Sequence, residues 1–127
     1  MNWQKYTLDG WLEQFGAWCD TAKPSEPHSL HTNIIYELMV QSGYATNPTY
    51  RPKPCDISDD EAMAVQALLS RIVSECDAQM RADISLLIAH KVSGFSLRKI
   101  ADKHRTQKDD VKLRIHGAKC YIKGRYF

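Results

Sequence analysis

The sequence predicts an all-α protein, a helical bundle of about six helices with a helix-turn-helix at its C-terminal end. Apolar residues recur at spacings of three and four in several segments, which places them on one face of a helix. No segment sustains the alternation of apolar and polar residues that is typical of a half-buried strand. Residues 84–122 read as a helix, a turn at Ser93-Gly94, a short helix, a polar turn at 104–107 and a long basic helix.

The first helix is predicted to run from about Leu8 to Ala22. Its apolar side chains share one face, which we expect to pack in the core, with an exposed aromatic patch for a partner as the alternative. They are Trp11, Leu12, Phe15, Trp18 and Cys19. A second helix is predicted over about Ser29–Gln41. Residues 43–57 contain three prolines, which exclude regular helix, and form either an ordered arm or a flexible linker.

The third helix is predicted to start at Ser58, because Glu61 follows three residues later and the two form a capping box. Asp59 and Asp60 suit the positive end of the helix dipole, which explains them better than a metal cluster does. An apolar stripe follows, and it packs either within the domain or against a second copy of the chain. Its members are Ala62, Val65, Leu69, Ile72 and Cys76. A fourth helix over about Ala78–Val92 repeats the pattern. Its stripe consists of Met80, Ile84, Leu87 and Ile88.

A chain of 127 residues is long enough for one domain with its own core. We expect an N-terminal helical segment with a proline-rich loop, residues 1–57, and a helical domain, residues 58–127, that form one compact unit. The four cysteines lack zinc-ligand spacing, so we expect reduced, buried thiols in a cytoplasmic protein, with a disulfide or metal framework as the alternative. The sequence shows neither a secretory signal nor a membrane-spanning apolar run, and we expect no membrane partner.

The net charge of +2 conceals an asymmetry along the chain. Residues 1–80 carry five basic and eleven acidic residues, a net charge of −6, whereas residues 81–127 carry twelve basic and four acidic residues, a net charge of +8. A basic half indicates a polyanionic partner, and an acidic half repels one. The sequence therefore predicts one surface for nucleic acid and another for a different partner. An unevenly charged, solvated surface is the alternative.

The last two predicted helices carry the nucleic-acid hypothesis. Ser96 is a natural N-cap for the first of them, in which Ile100 and Ala101 are the close-packing positions. The second is expected from about Gln107 to Lys123. Its predicted buried stripe consists of Val111, Ile115, Ala118 and Ile122. An ordinary three-helix corner with solvated lysines is the alternative interpretation.

In a helix-turn-helix, the start of the second helix reads base edges while surrounding basic residues hold phosphates. The last helix has a polar stripe about a quarter-turn from its apolar one. This stripe, whose members we expect to bind DNA, is formed by Lys108, Lys112, His116, Lys119 and Lys123. The candidates for base contact are Gln107, Lys108 and Lys112, since Gln suits adenine and Lys suits guanine. The candidates for phosphate contact are Arg98, Lys99, Arg105, Lys119 and Lys123.

Residues 84–122 resemble the helix-turn-helix of region 4 of bacterial sigma factors. More of the chain resembles the lambdoid phage antitermination protein Q family, in its short branch without a zinc motif. The similar segments are Phe15-Gly16-Ala17-Trp18, Cys55-Asp56 leading into Asp59-Asp60-Glu61-Ala62, Leu86-Leu87 with Val92-x-Gly94-x-Ser96, Ile100-Ala101, and the helix with Val111 and Ala118. They span roughly residues 15–122, and residues 43–54 contain no matching motif.

The resemblance implies an antiterminator of phage late genes that acts in the cytoplasm of the bacterial host, without a cofactor. Such proteins bind double-stranded DNA near a late promoter, load onto RNA polymerase paused downstream, and prevent terminator hairpins from forming at the RNA exit channel. Sigma factor, nascent RNA and a second copy on the DNA are further candidate partners. On this view the basic half holds DNA, and the acidic, aromatic half faces polymerase.

Two other functions fit the same pattern. One is a transcriptional repressor or activator that acts only through its operator, and the other is a DNA-binding packaging protein such as a terminase small subunit. An enzyme is not expected, because the five histidines show no nucleophile–base or metal-ligand spacing. His28 and His31 lie three residues apart, but two ligands without further support do not make a metal site.

Overall fold

The computed structural model describes residues 1–22 and 54–127. This part of the chain contains a 3-10 turn, Trp3–Lys5, and five α-helices. They are α1 (Leu8–Ala22), α2 (Asp59–Glu75), α3 (Ala78–Lys91), α4 (Leu97–Lys103) and α5 (Lys108–Tyr126). The described ranges contain no strand, and the all-α prediction is confirmed. The helix predicted over 29–41 and most of the segment 43–57 lie outside the described residues. None of the described helices is both long and apolar enough to cross a membrane.

Polar side chains cap the starts of α2, α3 and α4. Ser58 Oγ accepts from Glu61 N at 3.2 Å while Ser58 N donates to Glu61 Oε1 at 3.0 Å, which is the predicted capping box. Ser96 Oγ accepts from the backbone N–H three residues later at 3.1 Å and begins α4 as predicted. Asp77 caps α3 in the same way at 2.8 Å. The starts of these three helices are therefore encoded locally, in the residue that precedes each of them.

The hydrophobic core joins the apolar faces of all five helices. Trp11, Phe15 and Trp18 of α1 are buried, so these aromatic rings belong to the core and not to an exposed patch. The predicted stripes of α2 and α3 are also buried, except for Cys76 and Met80, which are half-buried against the core. Both stripes therefore pack within the chain.

Hydrogen bonds fix α1 against the start of α2. Trp18 Nε1 donates to Asp59 Oδ1 at 2.9 Å. The buried Gln14 side chain donates to Pro54 O at 3.2 Å and accepts from Asp56 N at 2.7 Å. Because Gln14 satisfies its polar atoms on the backbone before α2, its burial carries no desolvation penalty from unpaired groups. The first helix is therefore tied to the chain that leads into the second.

All four cysteines lie in the described ranges and form no disulfide there, but the expectation that they are buried is wrong. Cys19, Cys55 and Cys76 are half-buried, and Cys120 is exposed. Cys120 follows the buried Ala118 by two residues in α5. At about 100° per residue this separation turns its side chain away from the core.

Gly16 permits the close approach of α1 to the end of α3. A Cβ at this position would overlap the carbonyl oxygen of Val92 and lie 3.1 Å from its carbonyl carbon. Since backbone atoms cannot turn aside as a flexible side chain can, Gly16→Ala should force the helices apart. We expect a loss of about 2–3 kcal/mol in the free energy of unfolding, by overpacking. Thermal unfolding followed by circular dichroism would show it as a fall in Tm of roughly 10 °C.

Gly124 provides the matched control, because no atom lies within 4 Å of the position its Cβ would take. Gly124→Ala should leave Tm unchanged or raise it, since alanine is the better helix former by about 1 kcal/mol. A Gly16→Ala variant as stable as the Gly124→Ala variant would contradict the packing of α1 on Val92.

Candidate nucleic-acid interface

Gly94 makes the turn between α3 and α4 in a left-handed conformation, with a φ of 78°. Glycine adopts this region without a steric cost. Phe95 N donates to Ala89 O at 3.0 Å, and His90 Nδ1 donates to Phe95 O at 2.8 Å. Both backbone groups of the buried Phe95 therefore bond to α3, which fixes the point at which α4 starts.

The turn between α4 and α5 contains a second left-handed residue, Arg105, with a φ of 54°. This conformation costs a residue with a Cβ about 1–2 kcal/mol. Here it brings Thr106 N to within 3.0 Å of Ala101 O, a hydrogen bond that closes the turn back onto α4. The direction in which α5 leaves the turn is thus set by the backbone at Arg105.

Arg114 joins α5 to α3, where its Nε donates to Asp83 Oδ1 at 2.6 Å. The positive charge of Arg114 is therefore paired with the carboxylate of Asp83.

The pKa of His104, in the turn between α4 and α5, is lowered below its ordinary value. Desolvation is the largest cause, and the positive charges of Arg114 and Lys103 add to it. The imidazole in the turn is consequently harder to protonate than that of an ordinary histidine.

The predicted stripe of α5 packs against α3 and α4. All four of its residues are buried: Val111, Ile115, Ala118 and Ile122. The helix starts at Lys108, with Gln107 as its N-cap, and continues to Tyr126, beyond the predicted end at Lys123. Tyr126 OH donates to Glu75 Oε1 at 2.9 Å, a contact with α2 that stabilises the added turn.

The three candidates for base contact lie together at the exposed start of α5. Gln107 makes no side-chain cap hydrogen bond, so its amide is free to meet a ligand. Lys108 and Lys112 are exposed and form no ion pair within the described ranges. His116 is also exposed, with Nε2 3.5 Å from Cys120 Sγ. No third metal-ligating side chain in the described part of the chain joins that pair.

Four of the five candidates for phosphate contact are exposed, namely Arg98, Lys99, Arg105 and Lys123. The Nζ of Lys99 lies 5.2 Å from the centroid of the Phe95 ring, a cation–π distance that leaves it accessible. Lys119 is different, because it is half-buried and its Nζ donates to Asp9 Oδ2 at 3.3 Å. The Nζ of Lys91 lies 3.8 Å from the same oxygen. Lys119 therefore links α5 to α1, and its charge is partly neutralised.

The outward face of α5, opposite its buried stripe, contains residues that a search for positive charge does not find. The helical period places Asp109, Leu113 and Gly117 on this face. Leu113 is 70% exposed. Asp110, on the flank of this face, accepts from Thr106 Oγ1 at 3.2 Å. Projecting the sequence outward from the predicted buried stripe would have identified this face.

The sequence matches the family model described as phage antitermination protein Q over residues 6–127. The chain belongs to the phage antitermination protein Q family. The resemblance carried by its short motifs is therefore confirmed, and the chain is a phage antiterminator at the level of the family. The Q family match begins before α1 and ends with the last residue, so it includes the acidic helices as well as the basic α5. No curated protein and no solved structure matches the chain.

Proposed function

We propose that this Q-family protein binds double-stranded DNA near a phage late promoter, loads onto bacterial RNA polymerase and suppresses termination. The observation that carries the proposal is the exposed pair Lys108 and Lys112 at the start of α5, which the acidic Asp109 and Asp110 accompany, in a chain of this family. Lys108 and Lys112 point outward, and among the described residues neither is paired with a carboxylate. Such cations displace the counterions condensed on DNA when they meet its phosphates, which favours binding.

In the proposed complex, α4, the turn and α5 act as a helix-turn-helix, with the start of α5 in the major groove. Gln107, Lys108 and Lys112 then face base edges. Lys123 lies roughly 22 Å along the helix from Lys108, at about 1.5 Å per residue. A major groove is only about 12 Å wide, so Lys123 meets a phosphate beyond it. The remaining phosphate contacts come from Arg98, Lys99 and Arg105.

In this complex we assign Lys119 to the packing of α5 against α1 and not to a phosphate contact. Its bond to Asp9 connects α5 to α1, and the bond of Lys91 to Glu13, at 3.5 Å, connects the end of α3 to α1. The position of α5 is thereby coupled to the N-terminal half of the chain. This coupling is what a protein needs if one half addresses DNA while the other acts on polymerase.

The acidic N-terminal half supplies the polymerase-binding surface in the proposal. Its net charge of −6 opposes contact with DNA, so a protein partner suits it better. Since the α1 aromatic rings are buried, the contact falls to exposed groups such as Asp60 and Met63 on α2. Met63 is 44% exposed and offers an apolar contact beside the acidic first turn.

A terminator read-through assay with purified bacterial RNA polymerase tests the proposal. On a template with a phage late promoter upstream of a terminator, the protein should increase the fraction of full-length RNA. Binding to the DNA with unchanged termination would instead support a repressor or activator that acts only through its operator. Ring-shaped oligomers that bind a terminase large subunit would support the packaging function.

A further inference from the structure

Leu113 is the most exposed of the large hydrophobic side chains in the described part of the chain, at 70%. The others are Met1, Phe127 and Met63, at 55%, 51% and 44%. A single exposed leucine needs no explanation by itself. The position of Leu113 does need an explanation, because it lies on the outward face of α5, about one turn beyond Lys108 at the start of the helix.

Gly117 leaves open space beside Leu113 on this face. It follows Leu113 by one helical turn, and no atom lies within 4 Å of the place its Cβ would take. Glycine is a poor helix former, and nothing in the described fold requires it here. A side chain at this position would stand between Leu113 and any surface that approaches along the outward face. Its absence allows another molecule to come close to the helix backbone and to Leu113.

The charges around Leu113 distinguish the kind of DNA surface it can meet. Asp109 lies one turn before it, and its exposed carboxylate repels a phosphate but accepts a hydrogen bond from cytosine N4. Lys108 and Lys112 lie to one side of this face, where phosphates and guanine edges attract them. The outward face is therefore suited to the floor of the groove, whose base edges the long side chains of Lys108 and Lys112 reach from its flank.

We propose that Leu113 is a specificity-determining residue that recognises a thymine, through apolar contact with the C5-methyl group in the major groove. That methyl group is the one apolar feature that the base edges present in the major groove, and apolar side chains contact it. The inference rests on the proposed function of α5 in DNA binding and adds a preferred base to it.

Deoxyuridine tests this contact, since it differs from thymidine only by the missing methyl group. Duplexes are first selected from a random library with the wild-type protein, and each thymine of the selected site is then replaced singly. For the wild type, one replacement should raise Kd roughly fourfold, the effect of removing one methyl group from an apolar contact. In Leu113→Ala the same replacement should change Kd by less than about 1.5-fold. Met63→Ala, which shortens an exposed apolar side chain on α2 outside the proposed DNA-binding helices, should retain the fourfold effect.

The outcomes separate this inference from the proposed function. If no duplex is enriched from the library, DNA binding itself fails and the inference fails with it. If a duplex is enriched but Leu113→Ala keeps the full effect of deoxyuridine, or no thymine is sensitive, DNA binding stands and the role of Leu113 is overturned. A Leu113→Ala variant that binds the duplex normally but loses RNA polymerase in a pull-down would place Leu113 in the protein interface instead.

Discussion

Replacing Lys108 and Lys112 together with alanine should weaken binding to the selected DNA by about 100-fold, because two charge-assisted contacts of about 1.5 kcal/mol or more are lost. Both side chains are exposed and unpaired within the described residues, so the fold should be unaffected. If both also neutralise phosphates, the slope of log K against log salt should become shallower by about 1.8. Fluorescence anisotropy across a salt series measures both quantities.

The control for this variant removes the same amount of charge from the acidic half of the chain. The double substitution Lys5→Ala and Arg71→Ala also lowers the net charge by two. In the wild type, however, Lys5 pairs with Glu61 and Arg71 pairs with Glu75, both of which are residues of α2. We expect this pair of substitutions to leave both the affinity and the salt slope nearly unchanged. Equal effects in the two double variants would mean that only net charge matters, and the start of α5 would then have no special role.

Replacing Ile100 with aspartate should unfold the helices that carry the basic surface. Ile100 is fully buried, in α4, and the core there offers no partner for a carboxylate. Burying an unpaired charge costs about 4 kcal/mol or more, a large part of the roughly 5–15 kcal/mol that stabilises a domain. Val111→Asp at the start of α5 should have the same effect. Circular dichroism should show lost helix at 25 °C, or a Tm lowered by more than about 15 °C.

Two milder variants test whether the loss of stability comes from the buried charge. Ile100→Val removes one buried methylene group and should cost only about 1 kcal/mol. Met63→Asp places the same carboxylate on an exposed position of α2 and should change stability by less than about 0.5 kcal/mol. If Ile100→Asp unfolds no more readily than Met63→Asp, the packing of α4 against α3 and α5 is not as described.

Local signals in the sequence predicted most of the fold. The capping box at Ser58 and the cap at Ser96 each act within one turn, so they could be read from neighbouring residues alone. The buried stripes of α1, α2 and α5 follow from helical periodicity, which likewise needs no tertiary information. The end of α5 was missed because its last turn depends on a bond between Tyr126 and Glu75, residues that are far apart in the sequence.

The candidate site was less predictable, for physical reasons. Charge and helical position assign Lys119 to the phosphate contacts, but its bond to Asp9 depends on how α1 packs. The left-handed Arg105 has no signal of its own, because arginine rarely adopts this conformation. Leu113 was overlooked since a leucine in a helix is ordinarily counted toward the core. The pairing of Lys119 and the conformation of Arg105 depend on tertiary packing, which the spacing of residues does not report, whereas the outward position of Leu113 follows from the helical period.

The most direct test compares terminator read-through in the wild-type protein and in the Lys108→Ala, Lys112→Ala double variant. Both are added to purified bacterial RNA polymerase on a template that carries the late promoter and a downstream terminator. We predict that the wild type raises the fraction of full-length RNA several-fold and that the variant loses most of this effect while its Tm is unchanged. Wild-type protein that binds the template and leaves the read-through fraction at its level without protein would contradict the proposed function.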